Sequence, residues 1–257
     1  MAGTSAGTAD GWGLYDGLIR GVPEGLVVRR CQIGVQWIAV ESAGVGMSMT
    51  PGDAPTFHGI GAIAGRAVRD VAAYAKSWNF LEAAIGVAAL NSWYNAPSTL
   101  ARSWRRGADS PADRNVFDEW RARLAGRRVA VIGHFPSLER VAGTCELSVV
   151  ERKPQPGDYP DTACEFLLPE QDVIVATGTT LVNKTLPRLL ELSRGKEFAL
   201  TGPTTPLAPG LLDAGVTQLA GSVVVDPDEV WRFAAEGGSR QLFKHGMRML
   251  MLSRDDL

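Results

Sequence analysis

Between Asp172 and Thr185 the chain reads Asp-Val-Ile-Val-Ala-Thr-Gly-Thr-Thr-Leu-Val-Asn-Lys-Thr: an apolar run that stops at hydroxyls, a glycine, an amide and a cation. Hydroxyls and backbone N–H groups ahead of a helix can hold a phosphate or carboxylate. Thr177, Gly178, Thr179 and Thr180 supply that chemistry here, with Asn183 and Lys184 adding an amide and a charge. A second segment, Thr201-Gly202-Pro203-Thr204-Thr205-Pro206, repeats it. The same residue types also cap and turn for local reasons, so both readings stay open.

A carboxylate, Glu151, follows the apolar run 147–150, eighteen positions after Gly133. This spacing resembles the way a dinucleotide-binding domain sets an acid on a ribose diol, where the carboxylate accepts both hydroxyl protons. The G-x-G-x-x-G that should accompany it is missing, because the chain reads Gly133-His134-Phe135-Pro136-Ser137-Leu138. A phenylalanine where backbone must approach a pyrophosphate argues against ordinary NAD binding. The other reading is a merely solvated strand-end acid. His58, His134 and His245 lack a partner at i+3 or i+4, and Cys31, Cys145 and Cys164 form no CxxC pair, so local spacing signals no metal. Neither a G-x-S-x-G elbow nor a P-loop is present.

Short apolar strands must position these residues. Runs at 129–132, 147–150, 173–176 and 198–200 alternate with helical stretches, which predicts a parallel, Rossmann-like sheet. Gly133, Glu151, Thr177-Gly178 and Thr201-Gly202 then share the carboxyl edge, where such sheets bind ligands. Pro187 places a helix start at Thr185. A late strand is expected at 223–225, with helices at 228–236 and 241–252. Upstream, a helix at 12–19, paired strands within 26–42, a third strand at 44–50 and helices at 63–74 and 80–90 form an α+β unit. Asn91 and Asn95 fall where the last of these helices yields to a loop, serving either as cap and turn or as ligand-facing amides. The domain reading is a disordered tail at 1–9, an α+β domain at 10–110 with a linker at 107–113, and a Rossmann-like domain at 111–257.

Hydrophobic residues at 45% and charged residues at 21% describe an ordinary globular chain, and a net charge of −2 gives no reason to expect nucleic acid. No apolar run approaches the roughly 20 residues a bilayer requires. Unpaired cysteines without a leader point to the cytoplasm. Met247, Met249, Leu250, Met251 and Leu252 suggest a docked helix or the face of a homo-oligomer.

At its strand ends the chain resembles the putative heavy-metal chelation domain family. The matching pieces are Val131-Ile132-Gly133-His134-Phe135-Pro136, Glu151-Arg152-Lys153-Pro154 with Gly157-Asp158, the segment 177–186, Gly202-Pro203-Thr204-Thr205-Pro206-Leu207, and Gly215-Val216 followed by Ala220-Gly221. They cover most of residues 128–240; Thr204 stands where serine is more usual. The resemblance implies an enolase N-terminal-like α+β domain followed by a Rossmann-like doubly wound sheet. It also implies an interdomain cleft that the segment 88–96 faces, and a part in handling a metal or a metal-chelating small molecule. If a metal takes part, it is expected with an organic chelator or on oxygen and nitrogen groups of both domains.

Two functions follow. In the first the cleft binds an anionic small molecule, a metal or a metal–chelator complex: Glu151 takes hydroxyls, Thr179, Thr180, Thr204 and Thr205 take oxyanions, and Asn91, Asn95 and Asn183 orient the ligand. In the second the cleft holds a nucleotide-like or adenosyl-type cofactor, with Glu151 on the ribose and His134 or Lys184 as acid–base group.

Overall fold

The computed structural model describes residues 11–52, 59, 61–105 and 115–257. The expected tail, the linker at 107–113 and His58 lie outside the described residues. The first lobe comprises α1 (Gly13–Arg20), β1 (Arg30–Ile33), β2 (Trp37–Glu41), β3 (Val45–Met49), α2 (Val68–Ala72), α3 (Phe80–Tyr94) and α4 (Pro97–Ser103). Its three strands form an antiparallel meander that packs on α3. Asn79 starts α3 by accepting the N–H groups of Leu81 (2.9 Å) and Glu82 (3.4 Å), a side-chain cap. α3 is apolar on nearly every face and correspondingly buried on nearly every face.

The second lobe runs through α5 (Val116–Glu119), α6 (Arg121–Leu124), β4 (Arg128–Ile132), β5 (Glu146–Glu151), β6 (Tyr159–Pro160), α7 (Cys164–Leu167), β7 (Val173–Thr177), α8 (Leu186–Leu192) and β8 (Glu197–Thr201). It continues with α9 (Pro209–Asp213), β9 (Gln218–Val224), α10 (Pro227–Ala235), α11 (Arg240–His245) and β10 (Met247–Ser253). Among the described residues its sheet has seven strands in the order β6-β5-β4-β7-β8-β9-β10, parallel except for β10. The chain builds outward from β4 to β6, then returns to lay β7 on β4's other side. β4 and β7 therefore flank the switch point where a parallel sheet opens a crevice.

Burial on both sides explains why these strands are apolar throughout. Val129, Val131, Val173 and Val175 pack with Phe117, Trp120 and Leu124, while Ala130, Ile132, Ile174 and Ala176 face Leu168, Leu186 and Leu189. The second cluster continues into Ile85 and Leu90 of α3, so the lobes share one core. They are also bonded together. Tyr15 Oη donates to the carbonyl of Leu181 (2.9 Å) and Trp104 Nε1 to that of Leu207 (3.2 Å).

Several boundaries differ from expectation. The stretch 241–252 is not one helix: α11 ends at His245, and Met247–Ser253 becomes β10, paired antiparallel to β9. The methionine-rich run covers the edge that β9 would otherwise expose, and this tertiary pairing overrides helix propensity. The helix expected from Ile63 starts at Val68, after Gly65 turns the chain with φ +86°. α3 passes through Asn91 and ends at Tyr94, with Asn95 as its C-cap, because the apolar surface it covers extends that far. The late strand is longer than expected, and the two-residue β6 carried no readable signal.

Candidate functional site

Parallel pairing brings the ends of β4, β5, β7 and β8 to one edge, and with them Gly133, Glu151, Thr177 and Gly202. Gly133 (φ +103°) turns the chain out of β4 in a conformation suited to glycine. The backbone N–H of the next residue, His134, donates to Glu151 Oε2 (3.0 Å), while Glu151 Oε1 accepts from Lys153 N (3.2 Å). The carboxylate is thereby fixed at the end of β5. His134 Nδ1 lies 3.0 Å from Asp158 Oδ2, which also accepts the N–H of Gln155 (3.0 Å).

The threonine loop folds on itself. Thr177 Oγ1 accepts from the N–H (3.4 Å) and hydroxyl (3.1 Å) of Thr179, and Thr180 Oγ1 donates to the carbonyl of Thr177 (2.7 Å). Asn183 Oδ1 accepts from the N–H and hydroxyl of Thr185 (3.2 and 2.7 Å), an Asx turn leading into α8. Leu181 and Val182 are buried, so residues 177–184 are not polar throughout. Gly178 sits against the second threonine loop; a β-carbon there would lie 2.6 Å from Thr205 N and Oγ1.

Lys184 adopts φ +66°, unusual for a residue with a side chain. Its amine donates to the carbonyl of Val182 (2.8 Å) and lies 5.6 Å from the centre of the Phe80 ring, which the Arg152 guanidinium approaches at 5.1 Å. Desolvation lowers Lys184 to about 8, a lysine that sheds its proton readily. Arg188 is engaged by Glu165 through two bonds (2.9 and 2.7 Å) and by Glu191.

Three adjoining cavities, of about 540, 440 and 370 Å³, all include Glu151 and Thr179 in their walls. The largest lies between the lobes, with Met49, Thr50, Trp78 and Phe80 opposite Glu151, Arg152, Lys153 and Asn183. The second runs over Ile132, Val150 and Leu189 to Lys184. The third is bounded by Trp37, His134, Phe135, Gly202, Pro203 and Thr204.

Not every anticipated group reaches these cavities with its polar atoms. Asn91 and Asn95 are buried. Asn91 Nδ2 donates to Met47 O (2.7 Å) and Pro203 O (3.5 Å). Asn95 Nδ2 donates to Thr205 O and Ser222 O (both 3.0 Å), and its Oδ1 accepts from Leu207 N (2.8 Å). These amides tie the lobes together beneath the rim. Thr204 Oγ1 accepts the N–H of Met49 (3.0 Å), and Thr205 is fully buried. Trp78 and Phe80 are the additions that only the fold reveals; Arg152 and Asp158 stood among the resembling pieces, and the fold gives them their places beside Phe80 and behind His134.

Against this geometry, a family model described as "Putative heavy-metal chelation" (DUF364) matches residues 115–252, more than half of the chain. The chain belongs to this family. A second model with the same description, DUF4213, matches residues 15–94. The DUF364 chain is similar to a crystal structure of a protein of unknown function from that family in Desulfitobacterium hafniense DCB-2, with 35% identity and a TM-score of 0.86 over 95% of this chain and 98% of that one. A DUF364 protein of unknown function from Pyrococcus horikoshii shares the fold at 24% identity, with a TM-score of 0.76 over 93% and 98% of the two chains. An uncharacterised protein of Methanocaldococcus jannaschii is 27% identical over 175 residues, a match spanning 66% of this chain and 65% of that protein's length.

The family description names a metal, and the donor atoms can be tested against it. Among the described residues no three histidine, cysteine, aspartate or glutamate side chains converge as a bare ion requires. Burial pushes the Cys31 and Cys164 thiols up to about 11 and raises Cys145, away from the thiolate that soft metals bind. The side chains of the described residues do not fit a resident ion held by protein alone. Among the described residues, no helix is long and apolar enough to cross a membrane.

Proposed function

We propose that the cleft binds a small anionic metal chelate, a metal cargo that arrives with most of its coordination sphere supplied by an organic ligand. The observation that carries this is the convergence of three cavities on Glu151 and Thr179, where no cluster among the described residues could hold the ion itself. Arg152, Lys153 and Lys184 supply cations for a chelator's carboxylates, and Glu151 and Thr179 meet its hydroxyl or ammonium groups. Trp78, which is 73% exposed, and Phe80 form an apolar wall opposite them.

A second reading, an enzyme with an adenosyl-type cofactor, draws on one observation: the acid Glu151 ends the strand beside β4, where a Rossmann domain places its ribose carboxylate. The missing glycine fingerprint counts against it.

Titration calorimetry with copper(II) nitrilotriacetate, free nitrilotriacetate, copper(II) ions and S-adenosyl compounds separates the readings. The chelate is expected to bind one to one, with Glu151→Ala weakening it about tenfold, or roughly 1.4 kcal/mol, at unchanged circular dichroism. Uptake of the adenosyl compound alone would establish the second reading, and uptake of the bare ion alone would overturn the first.

A further inference from the structure

We infer that the Nε2 atom of His134 is the protein's own ligand to the chelated metal, completing a coordination sphere that the chelator leaves open. This inference rests on the chelate reading above and names the group that meets the cargo.

The geometry of His134 carries it. Its backbone N–H is held by Glu151 at 3.0 Å, and its ring by Asp158, also at 3.0 Å, so main chain and imidazole are both positioned before any ligand arrives. The Asp158 side chain is only 5% exposed, and Gln155 N donates to the same carboxylate oxygen, so Asp158 is itself fixed. A carboxylate at Nδ1 makes that nitrogen the donor and leaves the lone pair on Nε2. Metal-binding histidines take this arrangement, in which an outer carboxylate orients the ring and raises the basicity of the ligating nitrogen. Nε2 has no partner among the described residues, and the ring is 35% exposed on the wall of the cavity it shares with Glu151, Thr177 and Thr179.

One imidazole cannot retain a bare ion against water. For a metal already holding three or four chelator donors, a single preoriented nitrogen fills a vacant or water-occupied position. Imidazole suits copper, nickel and zinc, and a chelate with all positions filled gains nothing from it. The cleft would thereby select coordinatively unsaturated chelates.

The test uses copper(II) nitrilotriacetate and the full chain, read by electron spin echo modulation from the remote imidazole nitrogen, a signal the chelator's own amine does not give. Wild type is expected to show one coordinated imidazole per chain. His134→Gln should lose that signal and bind the chelate at least about tenfold more weakly, with its melting temperature retained. Because the chain has three histidines, a His58→Gln/His245→Gln variant leaves His134 alone and should keep the signal. It also serves as the positive test should His134→Gln fail to fold. Asp158→Asn should weaken the coordination while preserving shape. Imidazole coordination that persists in His134→Gln, or vanishes from the His134-only variant, would overturn the inference. Chelate bound in wild type without imidazole coordination would overturn it while leaving the cleft reading standing, whereas no binding at all would remove both.

Discussion

Asn95 and Leu207, 112 positions apart in sequence, meet through a 2.8 Å hydrogen bond from the backbone of the loop after β8 to the side-chain amide at the end of α3. The same side chain donates to the carbonyls of Thr205 and Ser222, so one buried residue of the first lobe satisfies three backbone groups of the second. An amide suits the place because it alone among neutral side chains offers two donors and an acceptor on one planar group. The rim of the cleft is held from beneath by this contact.

Asn95→Ala should therefore cost about 3–5 kcal/mol, since each buried backbone group left unpaired carries a penalty of about 1–3 kcal/mol. Urea unfolding measures it. A loss under about 1 kcal/mol would mean that water replaces the amide and that the lobes are not joined through this residue.

Gly178 and Thr205 make a comparable prediction from packing. A β-carbon at 178 would sit 2.6 Å from the Thr205 N and Oγ1 and 2.8 Å from the carbonyl carbon of Thr204, so main chain must move. Gly178→Ala is expected to destabilise by about 1–3 kcal/mol through overpacking and to weaken chelate binding as the two threonine loops part. Unaltered stability together with unaltered binding would show that these loops yield freely.

Lys184 gives a pH-dependent prediction. Burial lowers it to about 8 in the folded chain, against about 10.4 when unfolded. Between those values the unfolded chain binds more protons, so this group's contribution to stability rises as pH climbs through that window, and the cost of confining its charge is fully present below about 8. Lys184→Met removes that cost and should gain on wild type at about pH 7, with the advantage shrinking by about pH 10. Equal effects at both pH values in urea unfolding would show that the amine is not desolvated.

Much of the second lobe was legible because its strands are buried on both faces and so are continuously apolar, and because glycine and proline punctuate their ends. Val129 to Ile132 and Val173 to Ala176 lie in β4 and β7, the turn glycines Gly133 and Gly202 have positive φ, and α8 begins directly after Thr185. Local chemistry of this kind is written in the neighbours of each residue. The carboxyl-terminal run from Met247 departs from the expected helix because an apolar stretch carries no record of which partner it will pair with, and β9 decides that.

The site divides along the same line. By itself the sequence determined that Gly133, Glu151, Thr177 and Gly202 share one edge, since strand polarity follows from the alternation of strands and helices. Only the tertiary structure decided which polar atoms face the opening. Asn91, Asn95, Thr204 and Thr205 were placed on chemical type alone, and packing between the lobes turned their hydrogen-bonding atoms inward, while Asp158 came behind His134 from 24 positions away. Residue type states what a side chain can bond to; the burial of the groups around it settles which bond it makes.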